Sequence, residues 1–374
     1  GRPSIDLSEI DAVVEVLKSG WLTQGPKAKE FEEAFAKYVG TKNAIAVNSC
    51  TSALHLSLAA VGIKSGDEVI VPSFTFVATA NAVLHQNAKP VFADIEEQTY
   101  GISPNEIKKK ITSKTKAIIP VHYAGHPCDV KPIMEIAEEH DLIVVEDAAE
   151  ALGAEYKGRK VGSFGIGCFS FYPTKNITTG EGGMVTTNDE KVAEAVTAMR
   201  EHGLMKGAWA RERSLKPWER MQVMIGYNYR MTDFQAALGL NQLNKVDEMN
   251  RKRIGHAEYL TRSLEELDGI VPPPVMKGCK HVFQMYTPRV ETGIDRDKLV
   301  LSLRDRGIDA SVHFSPPVHL TPFYMEKFNL REGILPITEK LSKTIFTLPM
   351  YPDLTKEELD IIIDALSKVM RELI

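Results

Sequence analysis

A lysine in apolar and glycine-rich surroundings is the residue of this chain best suited to covalent chemistry. Lys175 follows the run Phe169-Ser170-Phe171-Tyr172-Pro173-Thr174 and precedes Gly180-Glu181-Gly182-Gly183. Most lysines are solvated surface residues, but desolvation by apolar neighbours lowers the pKa of an amine toward the range of a nucleophile or general base. These surroundings predict that Lys175 forms a Schiff base with an aldehyde.

A carboxylate is predicted near this lysine. The apolar run 142–145 leads into Glu146-Asp147-Ala148-Ala149, and open parallel sheets bind ligands at the carboxyl ends of their strands. Asp147 could pair there with a pyridinium nitrogen, although an ordinary loop carboxylate or helix N-cap is the alternative. Pyridoxal 5'-phosphate (PLP) needs both a Schiff-base lysine and such a carboxylate, so the pair predicts a PLP-dependent enzyme.

Further polar and aromatic groups could hold the cofactor. The turn Ser49-Cys50-Thr51-Ser52 offers hydroxyls and N–H groups at a helix N-terminus, where an anion such as phosphate is favoured. Taken alone, this turn is more typical of a plain N-cap. Ser170 could add a second hydroxyl to the phosphate. Phe76, beyond a predicted strand, is either a stacking partner for the cofactor ring or a core residue.

Two other segments are candidates for ligand contacts. Asn228 and Arg230, within Gly226-Tyr227-Asn228-Tyr229-Arg230-Met231, are as compatible with a helix cap and a solvated charge as with ligand binding. His313 and His319 lie in a predicted loop, where each could contact substrate or have a structural role. A metal site is not expected, because a third ligand is missing.

The elements that would position these residues alternate between strand and helix. Apolar runs predict strands at 44–47, 68–71, 90–92, 117–121, 142–145 and 184–187. Helical patterns separate these runs, which is typical of an α/β protein with a mostly parallel sheet covered on both faces. A first helix is predicted from apolar residues at positions 10, 13, 14 and 17, with Ser8 as its N-cap and Gly20 at its end. Other predicted elements are a surface loop at 201–225, strands at 282–287 and 310–314, and a terminal helix at 356–373.

Length and composition indicate the domain organisation and exclude some partners. The 374 residues exceed the size of a single hydrophobic core, so we predict a large domain at 1–247 and a smaller C-terminal α/β domain at 248–374. The net charge of -5, with dispersed basic residues, indicates neither nucleic-acid nor membrane binding. The four cysteines are widely spaced, and no apolar stretch reaches membrane-spanning length, so a cytoplasmic location is expected.

Several motifs together resemble the DegT/StrS family of sugar-nucleotide aminotransferases. The resemblance extends over nearly the whole chain, and its motifs lie at 20–26, 48–54, 146–152, 169–183, 226–231 and around His313. It implies the aspartate-aminotransferase fold (type I), with a large PLP-binding domain and a small C-terminal domain. It also implies a homodimer that shares its active sites.

The resemblance assigns roles to individual residues. It implies that Lys175 carries PLP, Asp147 pairs with the ring nitrogen and Phe76 stacks on the ring. It implies further cofactor contacts from Cys50, Thr51, Glu150, Ser170 and, across the dimer, Asn228. Implied substrate contacts are Thr23, Gln24, Arg230, His313 and His319. Many members carry glutamine or histidine at the position of Glu150, so this carboxylate should be protonated or turned away from the phenolic oxygen of PLP.

The resemblance also implies the reaction. Glutamate would load its amino group to give pyridoxamine phosphate, which would then aminate a keto carbon of a nucleotide-linked deoxysugar. The motifs 226–231 and 281–286 are similar to those of perosamine synthase-like members, which act at C4. The alternatives are a C3 sugar aminotransferase, a PLP-dependent sugar dehydratase, or a non-catalytic regulator that keeps the fold. Dehydratases of the family have histidine in place of the lysine, so Lys175 favours transfer.

Overall fold

The computed structural model describes residues 3–204, 210, 212–213, 216 and 218–373. Its helices include α1 (Leu7–Ser19), α2 (Pro26–Val39), α3 (Cys50–Ala60), α4 (Val77–His85), α5 (Pro104–Lys110), α6 (Val130–Glu139), α7 (Glu190–Met199), α8 (Asp233–Leu264), α9 (Arg296–Asp305), α10 (Pro322–Phe328), α11 (Pro336–Thr344) and α12 (Lys356–Leu373). Its strands include β1 (Asn43–Val47), β2 (Glu68–Pro72), β3 (Lys89–Ala93), β4 (Thr115–Ile118), β5 (Ile143–Asp147), β6 (Glu155–Tyr156), β7 (Arg159–Lys160), β8 (Ile166–Ser170), β9 (Gly183–Thr187), β10 (Ile270–Val271), β11 (Cys279–Lys280) and β12 (Arg289–Val290).

A mostly parallel sheet forms the centre of the fold. Across the described residues, seven strands lie in the order β1-β9-β8-β5-β4-β2-β3. The strands from β8 to β3 pair in parallel, whereas β9 runs antiparallel between β1 and β8. Every strand predicted between residues 44 and 187 belongs to this sheet. The predicted α/β class with a mostly parallel sheet is therefore confirmed.

Both faces of the sheet are buried because helices cover each of them. Val69 and Val145 point into a core formed with α3 and α4. Ile70 and Val144, their neighbours in the chain, point into a second core formed with α5 and α6. Since successive side chains of a strand face opposite sides, strands buried on both sides need continuous apolar runs. This requirement explains why the strands were recognisable from the sequence.

Aromatic packing fixes the strand that leads to Lys175. Phe31 and Phe35 of α2 are fully buried. Phe31 packs on Phe171 with ring centroids 5.3 Å apart, and Phe35 packs on Phe169 at 5.0 Å. Such offset and edge-on aromatic pairs stabilise a core beyond simple burial. The end of β8, just before the lysine, is thus held rigidly from one side.

Helix α1 forms as predicted, but its N-cap and its apolar face differ from the prediction. Asp6, and not Ser8, caps the helix, since its side chain accepts a hydrogen bond from the Ser8 N–H at 2.8 Å. Ile10 and Leu17 are 50% and 53% exposed, whereas Glu9 is buried against α8. The apolar stripe of α1 therefore faces away from its own chain.

The C-terminal part of the chain has a core of its own. Helix α8 runs unbroken through the predicted domain boundary at position 247. Beyond it, Leu260, Leu299 and Leu366 belong to a separate apolar core built from α8, α9 and α12. Tyr324 of α10, however, packs into the core of the large sheet. The division into 1–247 and 248–374 stays a prediction.

Two strand predictions in the C-terminal part of the chain were wrong. In the described residues, 282–287 forms only an isolated bridge from Tyr286 to Leu348, and 310–314 only one from Ser311 to Thr347. Phe283 has a φ of 45°, in the left-handed region, so the first segment cannot stay extended. Apolar runs in this region are buried without forming regular strands. The terminal helix α12 matches its predicted bounds.

The predicted surface loop 201–225 lies partly outside the described residues. Glu201 and Leu204 form isolated bridges with Asn228 and Gln222, and Trp218 is exposed. Within the described part of the chain, no helix is long and apolar enough to cross a membrane. The same residues contain no cluster of three or more histidine, cysteine or acidic side chains able to hold a metal ion.

Candidate active site

Lys175 and Asp147 meet in one cavity at the carboxyl end of the central sheet. Asp147 ends β5, and Lys175 follows β8, the strand paired with β5. The cavity has a volume of about 520 Å³. The predicted site residues that line it are Cys50, Thr51, Phe76, Asp147, Glu150, Ser170, Lys175 and His313. Segments far apart in the sequence therefore converge at one edge of the sheet, as expected for an open parallel sheet.

The amine of Lys175 faces a carboxylate. Its Nζ donates a hydrogen bond to Oε1 of Glu150 at 3.1 Å, and both side chains are largely buried. The other oxygen of Glu150, Oε2, accepts the N–H of Ala124 at 2.9 Å. Glu150 is thus held in place by the backbone and turned toward the lysine, which it neutralises.

Asp147 is a buried carboxylate held by two hydrogen bonds. Its Oδ2 accepts the hydroxyl of Thr79 at 2.7 Å, and its Oδ1 accepts the N–H of Ala149 at 3.2 Å. The Thr79 and Thr75 hydroxyls are themselves 2.8 Å apart. Burial raises the pKa of Asp147 above its ordinary value, although the hydrogen bond from Thr79 opposes this effect. A cation placed against this carboxylate would favour its charged form.

The start of α3 forms a neutral, donor-rich wall of the cavity. Ser49 is the N-cap of α3, and its hydroxyl accepts the N–H of Ser52 at 3.1 Å. Cys50 and Thr51 are the first residues of the helix, so their N–H groups lie at the positive end of its dipole. Burial and nearby Asp147 raise the pKa of the Cys50 thiol well above its ordinary value. An uncharged thiol does not repel a phosphate.

An aromatic ring stands open to the cavity. Phe76 is 61% exposed, and its ring centroid lies 6.3 Å from that of Phe314. The interpretation of Phe76 as a core residue is therefore wrong. His313 lies on the same side, where its Nδ1 is 3.0 Å from the hydroxyl of Thr347. Burial lowers the pKa of His313, so its ring is neutral at pH 7.

Some predicted residues do not line this cavity in their own chain, namely Thr23, Gln24, Asn228 and Arg230. In the amide orientation that satisfies its neighbours, Gln24 accepts a hydrogen bond from Arg200 at 2.8 Å and donates one to Glu201 at 2.9 Å. Asn228 is exposed and forms a backbone bridge with the same Glu201. The structure thus brings Gln24 and Asn228 together around Glu201, on a surface apart from Lys175.

His319 does not lie in the site that the sequence predicted for it. Its Nδ1 is 2.7 Å from the hydroxyl of Ser73, and its Nε2 is 3.1 Å from Oε1 of Glu339. The ring is fully buried. Because both nitrogens are engaged with protein groups and no edge reaches the cavity, His319 has a structural role and is not a substrate contact.

Several residues of the site were not predicted from the sequence. Thr79 orients Asp147, and Gln284 and Met285 line the cavity from the C-terminal part of the chain. The spacing of Thr75 and Thr79, four residues apart beside Phe76, was an available signal for Thr79. Gln284 and Met285 belong to the motif 281–286, but that motif by itself does not show that their side chains reach the cavity.

The donor set of this cavity fits PLP. The Lys175 amine can bind an aldehyde, and the buried Asp147 carboxylate, which forms no salt bridge with another described residue, can bind a pyridinium nitrogen. The N–H groups at the start of α3 can bind a phosphate, and the open face of Phe76 can bind a ring. A mostly parallel sheet with such a site at its carboxyl edge is typical of a PLP-binding enzyme. The chain belongs to the DegT/DnrJ/EryC1/StrS aminotransferase family, whose sequence profile matches residues 3–367.

Relatives of known sequence and structure agree with this assignment. The chain is 42% identical to the spore coat polysaccharide biosynthesis protein SpsC of Bacillus subtilis, over 99% of this chain and 96% of SpsC. It is 33% identical to PseC of Helicobacter pylori, an aminotransferase involved in the biosynthesis of pseudoaminic acid, with a TM-score of 0.92 and coverage of 99% and 98%. The PLP form of the putative sugar aminotransferase Spr1654 of Streptococcus pneumoniae is 30% identical, with a TM-score of 0.92 and coverage of 100% and 98%. The predicted family and enzyme class are confirmed.

Proposed function

We propose that this protein is a PLP-dependent aminotransferase that moves an amino group from glutamate to C4 of a nucleotide-linked 4-keto-6-deoxysugar. The observation that carries the proposal is the meeting of the Lys175 amine and the buried Asp147 carboxylate in one cavity. The names of two relatives also refer to biosynthesis of this kind. SpsC is named for the biosynthesis of spore coat polysaccharide, and PseC for the biosynthesis of pseudoaminic acid. The choice of C4 rests on the motifs 226–231 and 281–286.

Five residues of the cavity have defined tasks in this proposal. When bound, PLP supplies a ring that withdraws electrons from the α-carbon of the amino donor. Asp147, oriented by Thr79, would hold a proton at the ring nitrogen. Lys175 would hold the aldehyde and, once displaced, carry a proton to and from the α-carbon. The N–H groups of Cys50 and Thr51 would bind the phosphate.

The proposal is tested with purified protein loaded with PLP. We expect addition of glutamate to remove the visible absorbance of the cofactor and to produce 2-oxoglutarate. We then expect a sugar from a panel of GDP-, UDP- and dTDP-linked 4-keto-6-deoxysugars to restore this absorbance. Restoration by a 3-keto isomer alone would assign the enzyme to C3. Consumption of sugar without release of 2-oxoglutarate would indicate a dehydratase, and no response to glutamate would indicate a regulator.

We further propose that the active enzyme is a homodimer in which Asn228 reaches the phosphate bound by the partner subunit. Asn228 is exposed and does not line the cavity of its own chain. Exposed apolar side chains occur on α1, among them Leu17, and in the segment before Asn228, where Ile225 is 79% exposed. Exposed apolar side chains that gather on one surface are typical of a protein–protein interface. A two-fold interface would bring each Asn228 to the opposite site.

Complementation between inactive variants tests this arrangement. Asn228→Asp should inactivate the enzyme, because it places an anion against the phosphate. A heterodimer of Asn228→Asp and Lys175→Ala chains should regain about half of the wild-type activity, since one of its two sites is then intact. A heterodimer of Asp147→Asn and Lys175→Ala chains is the control and should stay inactive. Equal activity of the two heterodimers would contradict the shared site.

A further inference from the structure

A second cavity adjoins the proposed site. It has a volume of about 260 Å³ and shares Lys175, Gln284 and His313 with the first cavity. Its lining also includes Arg253 of α8 and the segment 347–352. A group bound here would lie beside the segment that carries Lys175, between residues of the large sheet and residues of the C-terminal part of the chain.

Arg253 is a buried cation without a carboxylate partner in the described part of the chain. Its side chain is only 5% exposed. Its guanidinium makes two long contacts of 3.4 Å, from Nη1 to Oδ1 of Asn250 and from Nη2 to the carbonyl of Asn176. Among the described residues, Nε has no hydrogen-bond partner. Burial lowers the pKa of Arg253 to about 10, and Asp353 only partly opposes this effect.

The acidic groups nearby do not neutralise this charge. The Asp353 carboxylate lies 3.5 Å from Nζ of Lys252. Asp309 also lines the cavity, but its side chain is 76% exposed and contacts Arg304 at 3.4 Å. A buried charge with unsatisfied donors is costly, so its retention beside a cavity points to an anionic ligand. The planar guanidinium is suited to a carboxylate, which it can bind through two parallel hydrogen bonds.

We propose that Arg253 binds a carboxylate of the amino donor, which makes the enzyme selective for dicarboxylic donors such as glutamate. This inference rests on the proposed function. Nη2 contacts the carbonyl of Asn176, the residue after Lys175, so the guanidinium is tied to the segment that carries the amine. The keto sugar has no carboxylate, so a carboxylate held by Arg253 would belong to the amino donor.

The test compares Arg253→Gln and Arg253→Lys with the control Arg251→Gln, which changes an exposed arginine on the same helix. Each PLP-loaded protein is mixed rapidly with glutamate, and the loss of cofactor absorbance is followed against glutamate concentration. Arg253→Gln should raise the half-saturating concentration roughly 10- to 150-fold, the range for a hydrogen-bonded charge pair. Arg253→Lys should restore part of the affinity, and Arg251→Gln should match the wild type.

A second donor shows which carboxylate is bound. If Arg253 binds the side-chain carboxylate, as selectivity for dicarboxylic donors requires, Arg253→Gln should leave the reaction with alanine unchanged. Equal weakening of the reactions with glutamate and alanine would show that Arg253 binds the α-carboxylate, and would overturn this selectivity. Transfer from pyridoxamine phosphate-loaded protein to the keto sugar should be unaffected, because this half-reaction does not use the donor site. A loss confined to that half-reaction would overturn the proposal, as would unchanged glutamate saturation.

Binding without turnover gives an independent measurement. Glutarate, a dicarboxylate that lacks the amino group, should bind the PLP-loaded wild type in calorimetry, and Arg253→Lys should weaken this binding several-fold. Binding that is equal in the two proteins would also overturn the proposal. Should Arg253→Gln fail to fold, Arg253→Lys still provides both measurements. Failure of the proposed function is distinguishable, because the wild type itself would then show no response to glutamate.

Discussion

Lys175→Ala should abolish amino-group transfer while leaving the chain folded. The variant lacks both the amine that would hold the aldehyde and the base that would move the α-proton. Loss of a general base alone costs about 10²- to 10⁴-fold in rate, and loss of covalent attachment adds to this. The measurement is the rate of 2-oxoglutarate release from glutamate by PLP-loaded protein, with circular dichroism as the check on folding.

Two further variants separate the chemistry of the amine from its charge. Lys175→Arg keeps a cation beside Glu150, whose carboxylate is otherwise left without its partner at 3.1 Å, but it cannot form a Schiff base. It should therefore be as inactive as the alanine variant and closer to the wild type in thermal stability. Lys191→Ala, on exposed α7 surface, should keep full activity. Transfer at the wild-type rate by either variant of Lys175 would exclude this residue as the nucleophile.

Asp147→Asn should reduce the rate of the glutamate half-reaction by roughly 10²- to 10³-fold, the usual effect of losing one preorganised electrostatic partner. The amide has nearly the shape of the carboxylate but cannot stabilise a proton on the ring nitrogen. Asp147→Glu keeps the charge and should retain more activity than the amide. Asp268→Asn, at an exposed position, is the matched control and should behave as the wild type.

Asp147→Asn should slow the reaction without destabilising the folded protein. Burial raises the pKa of Asp147, so the folded protein binds a proton more tightly than the unfolded chain does. Such a group destabilises the fold once the pH rises through its ordinary value near 3.8. At pH 7 the cofactor-free Asp147→Asn protein should therefore melt at or above the wild-type temperature. A lower melting temperature together with unchanged turnover would contradict the role given to Asp147.

The site was largely predictable because local patterns coincide with a rule of sheet architecture. Asp147 follows a strand that is buried on both faces, and Lys175 follows the strand paired with it. The carboxyl ends of parallel strands meet at one edge, so the sequence alone predicts that both residues lie at this edge of the sheet. Phe76 could not be assigned in the same way, since a phenylalanine beyond a strand is as compatible with a core as with an open cavity.

Contacts between distant segments could not be derived from local patterns. The apolar spacing in α1 predicts a helix but does not show whether this chain or another covers Leu17. His319 is excluded from the cavity by its contact with Ser73, which lies far away in the sequence and holds the ring in the core. Arg253 occurs in a charged stretch typical of a solvated helix face, yet it is buried and contacts Asn176, which lies far away in the sequence.

Hydrophobic periodicity and strand-end motifs were thus sufficient to predict the fold class of this aminotransferase and the location of Lys175 and Asp147 at one edge of its sheet. Only the tertiary structure determines which partner each polar side chain contacts, because burial and hydrogen bonding depend on which segments approach one another. Arg253 illustrates the difference: the same residue type is a solvated charge on an open helix and an anion-binding group once a neighbouring segment removes it from water.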